Sequence, residues 1–159
     1  MVLAIVAAAL LTGCGPDGRA TPSEPGLAEV VRVVDGDTIV VRLAGIEESV
    51  RLLGIDTPES VDPRSPVECF GKEASAQTAS LLPPGTEVRL VRDVEARDRY
   101  ARLLAYVYRA DDGAFVNLQL VQDGYAGVLN YPPNVAHADE LAVAAAQARH
   151  EARGLWSRC

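Results

Sequence analysis

Three acids and two arginines stand out for where they fall beside apolar runs. Asp37 stands at the mouth of the β-branched run TIVVRL (38–43), a place where aspartate is disfavoured. Asp56 closes SVRLLGI (49–55), and Glu59 follows behind Thr57 and Pro58, with Pro58 holding Thr57 extended. Arg51 lies inside that run, and Arg102 opens another, RLLAYVY (102–108). Turn chemistry alone accounts for Asp35-Gly36, and a solvated charge would account for Glu59. If the runs at 38–43 and 49–55 pair as strands, however, Asp37 and Asp56 meet near one end of a sheet. Two carboxylates with a backbone carbonyl and water suit a hard divalent cation such as Ca²⁺. Two guanidiniums beside it would stabilise the added negative charge of a five-coordinate phosphorus. Glu59 would orient or deprotonate the attacking water. No Cys/His set has zinc spacing, and His137 and His150, on or near the last helix, read as surface residues.

The elements that must position these groups are legible from pattern. EVVRVV (29–34), TIVVRL and SVRLLGI read as three strands, the first two joined through Asp35-Gly36, a hairpin signal. FGKEASAQTASLL (70–82) reads as a helix stopped by Pro83-Pro84-Gly85. TEVRLVR (86–92) and RLLAYVY are two more strands. VNLQLVQDG (116–124) reads as a short helix, with Asn117 as a possible N-cap and Gly124 as its stop. ADELAVAAAQARHEARG (138–154) is a longer helix whose stripe Leu141, Ala145, Ala148 and Ala152 reads as packing against the rest, with Trp156 as a core anchor behind it. Three meander strands, a helix and two strands match a five-stranded OB-type barrel; a generic α+β sandwich uses the same elements.

Composition bounds the rest. At 159 residues with 48% hydrophobic content, the chain suits one packed domain plus a tail. Its net charge of −7 argues against tight, sequence-independent polyanion binding through bulk electrostatics, though not against a local basic cleft. Of 15 basic residues only Lys72 is a lysine. Residues 1–13, MVLAIVAAALLTG, are apolar, uncharged and too short to span a bilayer, so they read as an export signal. Leu11-Thr12-Gly13-Cys14 resembles a lipobox, which would make Cys14 a lipidated N-terminus; the alternative is a plain secretory signal with an incidental cysteine. Residues 14–28 read as a linker, and 29–159 as the domain. With Cys14 lipidated, Cys69 and Cys159 remain as a disulfide pair in an oxidising setting, or as two free thiols. A bridge would stabilise by roughly 4–5 kcal/mol in the chain-entropy model.

VVDGDTIVV, RLLGIDTPE, GKEAS, DRYARLLAYVY, VNLQLVQDGYA and the final ARGLW, taken together over residues 29–157, resemble the staphylococcal nuclease family. The resemblance implies an α+β fold, a five-stranded OB-fold β-barrel with three α-helices. It also implies a monomeric, Ca²⁺-dependent nuclease that cleaves DNA and RNA to 3′-phosphate ends. Position by position, Asp37 and Asp56 become the calcium carboxylates and Thr57 lends its main-chain carbonyl. Arg51 and Arg102 become the catalytic phosphate-binding arginines and Glu59 the general base, while Tyr100 and Tyr131 belong to the nucleotide pocket. Exported relatives share the ECFG and terminal cysteine, which supports the Cys69–Cys159 bridge and a location on the outer face of a bacterial membrane or in the medium.

Four departures from the family pattern matter. Ala101 stands where the family often has glycine, and is strained if that position needs positive φ. Leu129 replaces the first of two alternating tyrosines in a well-studied member. VDPRSPVEC replaces a lysine-rich loop, and the chain is acidic, so weaker substrate affinity and stronger salt sensitivity are expected. The other class of function compatible with these residues is a non-catalytic OB-fold module binding an oligonucleotide or a protein.

Overall fold

The computed structural model describes residues 27–60 and 67–159. The export signal, Cys14 and nearly all of the linker lie outside the described residues, as does most of the VDPRSPVEC segment. In chain order the elements are β1 (Leu27–Val33), β2 (Thr38–Leu43), β3 (Ile46–Leu52), β4 (Ile55–Asp56), α1 (Gly71–Leu81), β5 (Glu87–Val91), β6 (Leu103–Arg109), α2 (Val116–Gln122), β7 (Gly127–Val128), α3 (Ala138–His150) and the single turn α4 (Leu155–Arg158). Five strands close into a barrel in the order β1-β2-β3-β6-β5, with β3 and β6 parallel and the other pairs antiparallel. This is the OB-type architecture with three helices around it.

Alternation explains the barrel. Ile39 and Val41 from β2, Val50 and Leu52 from β3, Val88 from β5, and Ala105 and Val107 from β6 point inward and are fully or almost fully buried. The first strand begins two residues before EVVRVV, because Leu27 and Ala28 pair with Arg89 and Val88.

The third strand differs from its expected span. It starts at Ile46 after a tight turn in which Ala44 and Gly45 both have positive φ. It ends at Leu52, and Gly54, at φ 78°, breaks the chain before β4. A Cβ at Gly54 would meet the Leu141 side chain at 2.5 Å, so α3 packs directly on this break. The break turns Asp56 away from the barrel wall and toward the mouth.

Four helical readings need correction. Asn117 does not cap α2; it is buried within the helix, accepting from the Val107 amide at 2.9 Å and donating to the Leu53 carbonyl at 2.8 Å. It ties α2 to two parts of the barrel. The buried α3 stripe is Leu141, Ala144, Ala145 and Ala148; Ala152 is exposed, past the helix end, at φ 50°. Trp156 is half-buried on the surface under Arg149, whose guanidinium lies 4.3 Å from its ring centre, and is no core anchor. His137 is not a simple surface residue. Its ring packs 4.4 Å from Tyr106 and 4.8 Å from Phe115, and its Nδ1 lies 2.9 Å from Glu140. His150 is exposed, as read.

Cys69 and Cys159 form a disulfide, with Cα atoms 6.0 Å apart, which removes the free-thiol alternative. No helix among the described residues is long and apolar enough to cross a membrane.

Candidate active site

The site lies where β2 begins, β3 ends and the loop before β6 returns. Thr38 of β2 sits opposite Arg51 of β3, so the register places Asp37 beside the arginine. The loop carrying Asp37 is held from both sides. Asp35 Oδ1 accepts from the Asp37 amide at 3.1 Å, and Thr78 of α1 donates its hydroxyl to the Gly36 carbonyl at 2.6 Å. Gly36 has no room for a side chain, because a Cβ there would meet Thr57 Oγ1 at 2.5 Å. The two loops bearing Asp37 and Thr57 therefore lie in contact, and the Thr57 amide donates to Asp37 Oδ2 at 3.1 Å.

Arg51 is the hub. Its Nη2 donates to Asp56 Oδ1 at 2.9 Å and lies 3.0 Å from Asp37 Oδ2; its Nη1 donates to the Leu52 and Ile55 carbonyls at 3.0 and 2.9 Å. Arg102 faces the same space from the loop just before β6. Its Nε donates to Asp98 Oδ2 at 2.7 Å and its Nη1 to Thr38 Oγ1 at 3.5 Å. Asp98 Oδ1 also accepts from the Tyr100 and Arg102 amides at 2.9 and 3.0 Å, so one carboxylate shapes the turn and aims the arginine. Burial opposes ionisation of Asp98, but these hydrogen bonds from Arg102 and the two amides hold its carboxyl below the ordinary value.

A cavity of about 140 Å³ is lined by Asp35, Asp37, Asp56, Glu59, Arg51 and Arg102, with Thr57 and Pro58. Four carboxylates against two guanidiniums leave an excess of two negative charges when all are ionised. Asp37 is the acid of this cavity most affected by burial. Burial pushes its pKa up to about 6, against the pull of Arg51 and the Thr57 amide, with Asp35 and Asp56 adding to the rise. Among the described residues no three His, Cys, Asp or Glu side chains converge as a ready-made cluster, since Arg51 Nη2 stands between Asp37 and Asp56. The donors are all hard oxygens and the charge excess is that of one divalent cation, so the lining fits a hard divalent cation and not a zinc site.

A second cavity, of about 380 Å³, shares the walls Arg51 and Arg102 with the first and adds Tyr100, Leu129 and Tyr131. Tyr100 is exposed, with the Arg99 and Arg102 guanidiniums 4.8 and 5.5 Å from its ring centre. All eight residues singled out in the sequence thus line one or the other of two adjoining cavities. The local sequence pattern does not single out Asp98 or Thr78. Asp98 has a signal, its i,i+4 spacing to Arg102; Thr78 acts on Gly36 across 42 positions, which leaves no local trace.

The model of the staphylococcal nuclease homologue family matches residues 49–158. A thermonuclease of Staphylococcus intermedius is 37% identical over 163 residues, covering 99% of this chain and 95% of that protein. A thermonuclease of Staphylococcus hyicus is 40% identical over 129 residues, 81% of this chain and 75% of that one. Endonuclease YncB of Bacillus subtilis is 38% identical over 129 residues, 80% of this chain and 60% of that one. A match over most of the chain, on a closed OB-type barrel with the acids and arginines at one mouth, leaves one conclusion: this protein belongs to the staphylococcal nuclease homologue family.

Proposed function

We propose that this chain is a Ca²⁺-dependent endonuclease that hydrolyses phosphodiester bonds of DNA and RNA, breaking the P–O5′ bond and leaving 3′-phosphate ends. The observation that carries this reading is the single cavity lined by four acids and two arginines. Asp37 and Asp56, with the Thr57 carbonyl, would hold the ion. When bound, the ion supplies positive charge against a non-bridging phosphate oxygen. Glu59 orients the attacking water and takes its proton. Arg51 and Arg102, on walls shared by both cavities, face the phosphorus, where preorganised donors stabilise charge that grows in the transition state. Tyr100 and Tyr131 flank the adjoining cavity, which suits a stacked base or sugar.

The acidic surface sets an expectation of modest substrate affinity and steep salt dependence. We also propose that the protein is exported, monomeric and lipidated at Cys14. The Cys69–Cys159 bridge supports the oxidising compartment, and Cys14→Ser should release the protein from membranes.

The test is digestion of single-stranded DNA and of RNA at mildly alkaline pH with Ca²⁺, with and without chelator, followed by end-group analysis. Cleavage that the chelator abolishes, with 3′-phosphate ends, supports the reading. Binding without cleavage would sink it in favour of an oligonucleotide-binding module.

A further inference from the structure

We propose that Glu68 is a positioning residue for Glu59, kept in place by the Cys69–Cys159 disulfide. The inference rests on the nuclease reading for what Glu59 does, but not for how Glu59 is held.

The main chain of Glu59 is bracketed by Glu68 on both sides of its peptide. The Glu59 amide donates to Glu68 Oε2 at 3.0 Å, and the Glu68 amide donates to the Glu59 carbonyl at 2.9 Å. The start of α1 then seats on the same residue. A Cβ at Gly71 would lie 2.6 Å from the Glu59 carbonyl oxygen and 3.1 Å from that of Pro58, so only glycine allows this approach. The Glu59 side chain points back toward the site, Oε1 accepting from the Ser60 amide at 2.8 Å while the residue lines the acidic cavity.

Glu68 is exposed, and an exposed hydrogen bond orients little unless the backbone behind it is fixed. That backbone is in an unfavoured state. Phe70, between Cys69 and the first residue of α1, has φ 70° and ψ 5°, a left-handed conformation that a bulky side chain adopts only when its surroundings impose it. Two constraints flank it. Cys69 is bonded to the last residue of the chain, and the Phe70 ring packs 5.3 Å from Tyr125. The terminal turn is itself anchored, since the Leu155 amide donates to the Gly124 carbonyl at 2.8 Å. The covalent tie therefore runs from the body of the domain, through α4 and the bridge, to the residue next to Glu68.

The experiment compares Glu68→Ala, Glu68→Gln and the double variant Cys69→Ser/Cys159→Ser with the parent, using single-stranded DNA and Ca²⁺. Glutamine keeps an oxygen that can accept from the Glu59 amide; alanine does not. A misplaced general base lowers kcat, so Glu68→Ala should lose about tenfold in kcat with KM and the Ca²⁺ midpoint within twofold of the parent. Glu68→Gln should recover to within about threefold of the parent, because the acceptor geometry, and not the charge, is what matters. The cysteine variant should lose kcat in the same way, and adding Glu68→Ala to it should cost less than in the parent. Hydrogen exchange at the Glu59 amide gives a readout independent of cleavage: faster in Glu68→Ala and in the cysteine variant, unchanged in Glu68→Gln. An unaltered kcat and unaltered exchange in Glu68→Ala would overturn the inference, as would a Glu68→Gln as impaired as alanine. A parent that fails to cleave refutes the nuclease reading alone, and the exchange data still decide the positioning claim.

Discussion

Arg51 and Asp37 form an ion pair at 3.0 Å with side chains only 14% and 9% exposed. Asp56, which shares the same guanidinium nitrogen, is 60% exposed at its side chain, so the three charges differ sharply in what their loss would do. Removing Arg51 strands a buried carboxylate. Arg51→Gly is expected to lower stability by about 3–5 kcal/mol, as for one partner taken from a buried pair. It should also lower kcat by at least about a hundredfold through loss of a transition-state donor. Asp56→Asn should weaken Ca²⁺ binding with little loss of stability. Thermal melts and Ca²⁺-dependent rates separate the two, and equal melting losses in both variants would contradict the assignment.

The raised pKa of Asp37 carries a pH dependence with a definite sign. The folded state holds this proton more tightly than the unfolded chain, whose aspartate titrates near 3.8. The group's contribution to stability is therefore complete below about pH 4 and is lost as pH rises through about 6. A shift of this size corresponds to at most about 3 kcal/mol. In chelator, parent stability relative to Asp37→Asn should decline between pH 4 and 7. Ca²⁺ should abolish the decline by binding the ionised form. A parent-minus-variant difference that stays flat across that range in chelator would show that burial does not set this pKa.

Asp37, Arg51 and Asp56 could be picked out because each breaks a local rule, whereas Glu59 and Arg102 break none and were fixed only through the family resemblance. Asp37 meets a strand start, Arg51 interrupts an apolar run, and Asp56 with Pro58 ends one. What gathers them was visible only as a conditional, the pairing of β2 with β3, which the register of Thr38 with Arg51 satisfies. Residues that act at a distance gave no such signal. Asn117 reads as a cap because asparagine favours caps, yet its amide bonds to Leu53, 64 positions away. His137 looked solvated because its aromatic partners Tyr106 and Phe115 come from outside its own helix. Phe70 sits in a left-handed conformation that no propensity would assign to it.

Ala101 has φ 64°, the condition under which a residue with a Cβ is strained there, and it is exposed. Its amide donates to the Asp98 carbonyl at 3.0 Å, closing the turn that aims Arg102. Left-handed backbone costs a residue with a Cβ roughly 1–2 kcal/mol, part of which glycine returns through its larger unfolded-state entropy. Ala101→Gly should therefore raise stability by about 0.5–1 kcal/mol, seen as a higher denaturant midpoint at constant m-value. kcat should be unchanged, since Asp98 already fixes Arg102. A lower midpoint would mean that the turn is not strained at this position.

Leu129 lines the larger cavity with Tyr100 and Tyr131 and is 44% exposed, so one wall offers an aliphatic edge where a ring would fit. Its amide donates to the Gly54 carbonyl at 3.1 Å, which anchors the backbone whatever the side chain. A tyrosine here would present a flat face to a base without disturbing the acidic cavity, which Leu129 does not line. Base–aromatic stacking contributes on the order of 1 kcal/mol or more, or about fivefold in affinity. Leu129→Tyr should therefore lower KM for single-stranded DNA about fivefold at unchanged kcat. A contact that binds ground state and transition state alike has this signature. The gain should persist at high salt, because stacking is not electrostatic, while the underlying affinity of this acidic protein falls. A change in kcat with constant KM would instead place position 129 against the reacting phosphate.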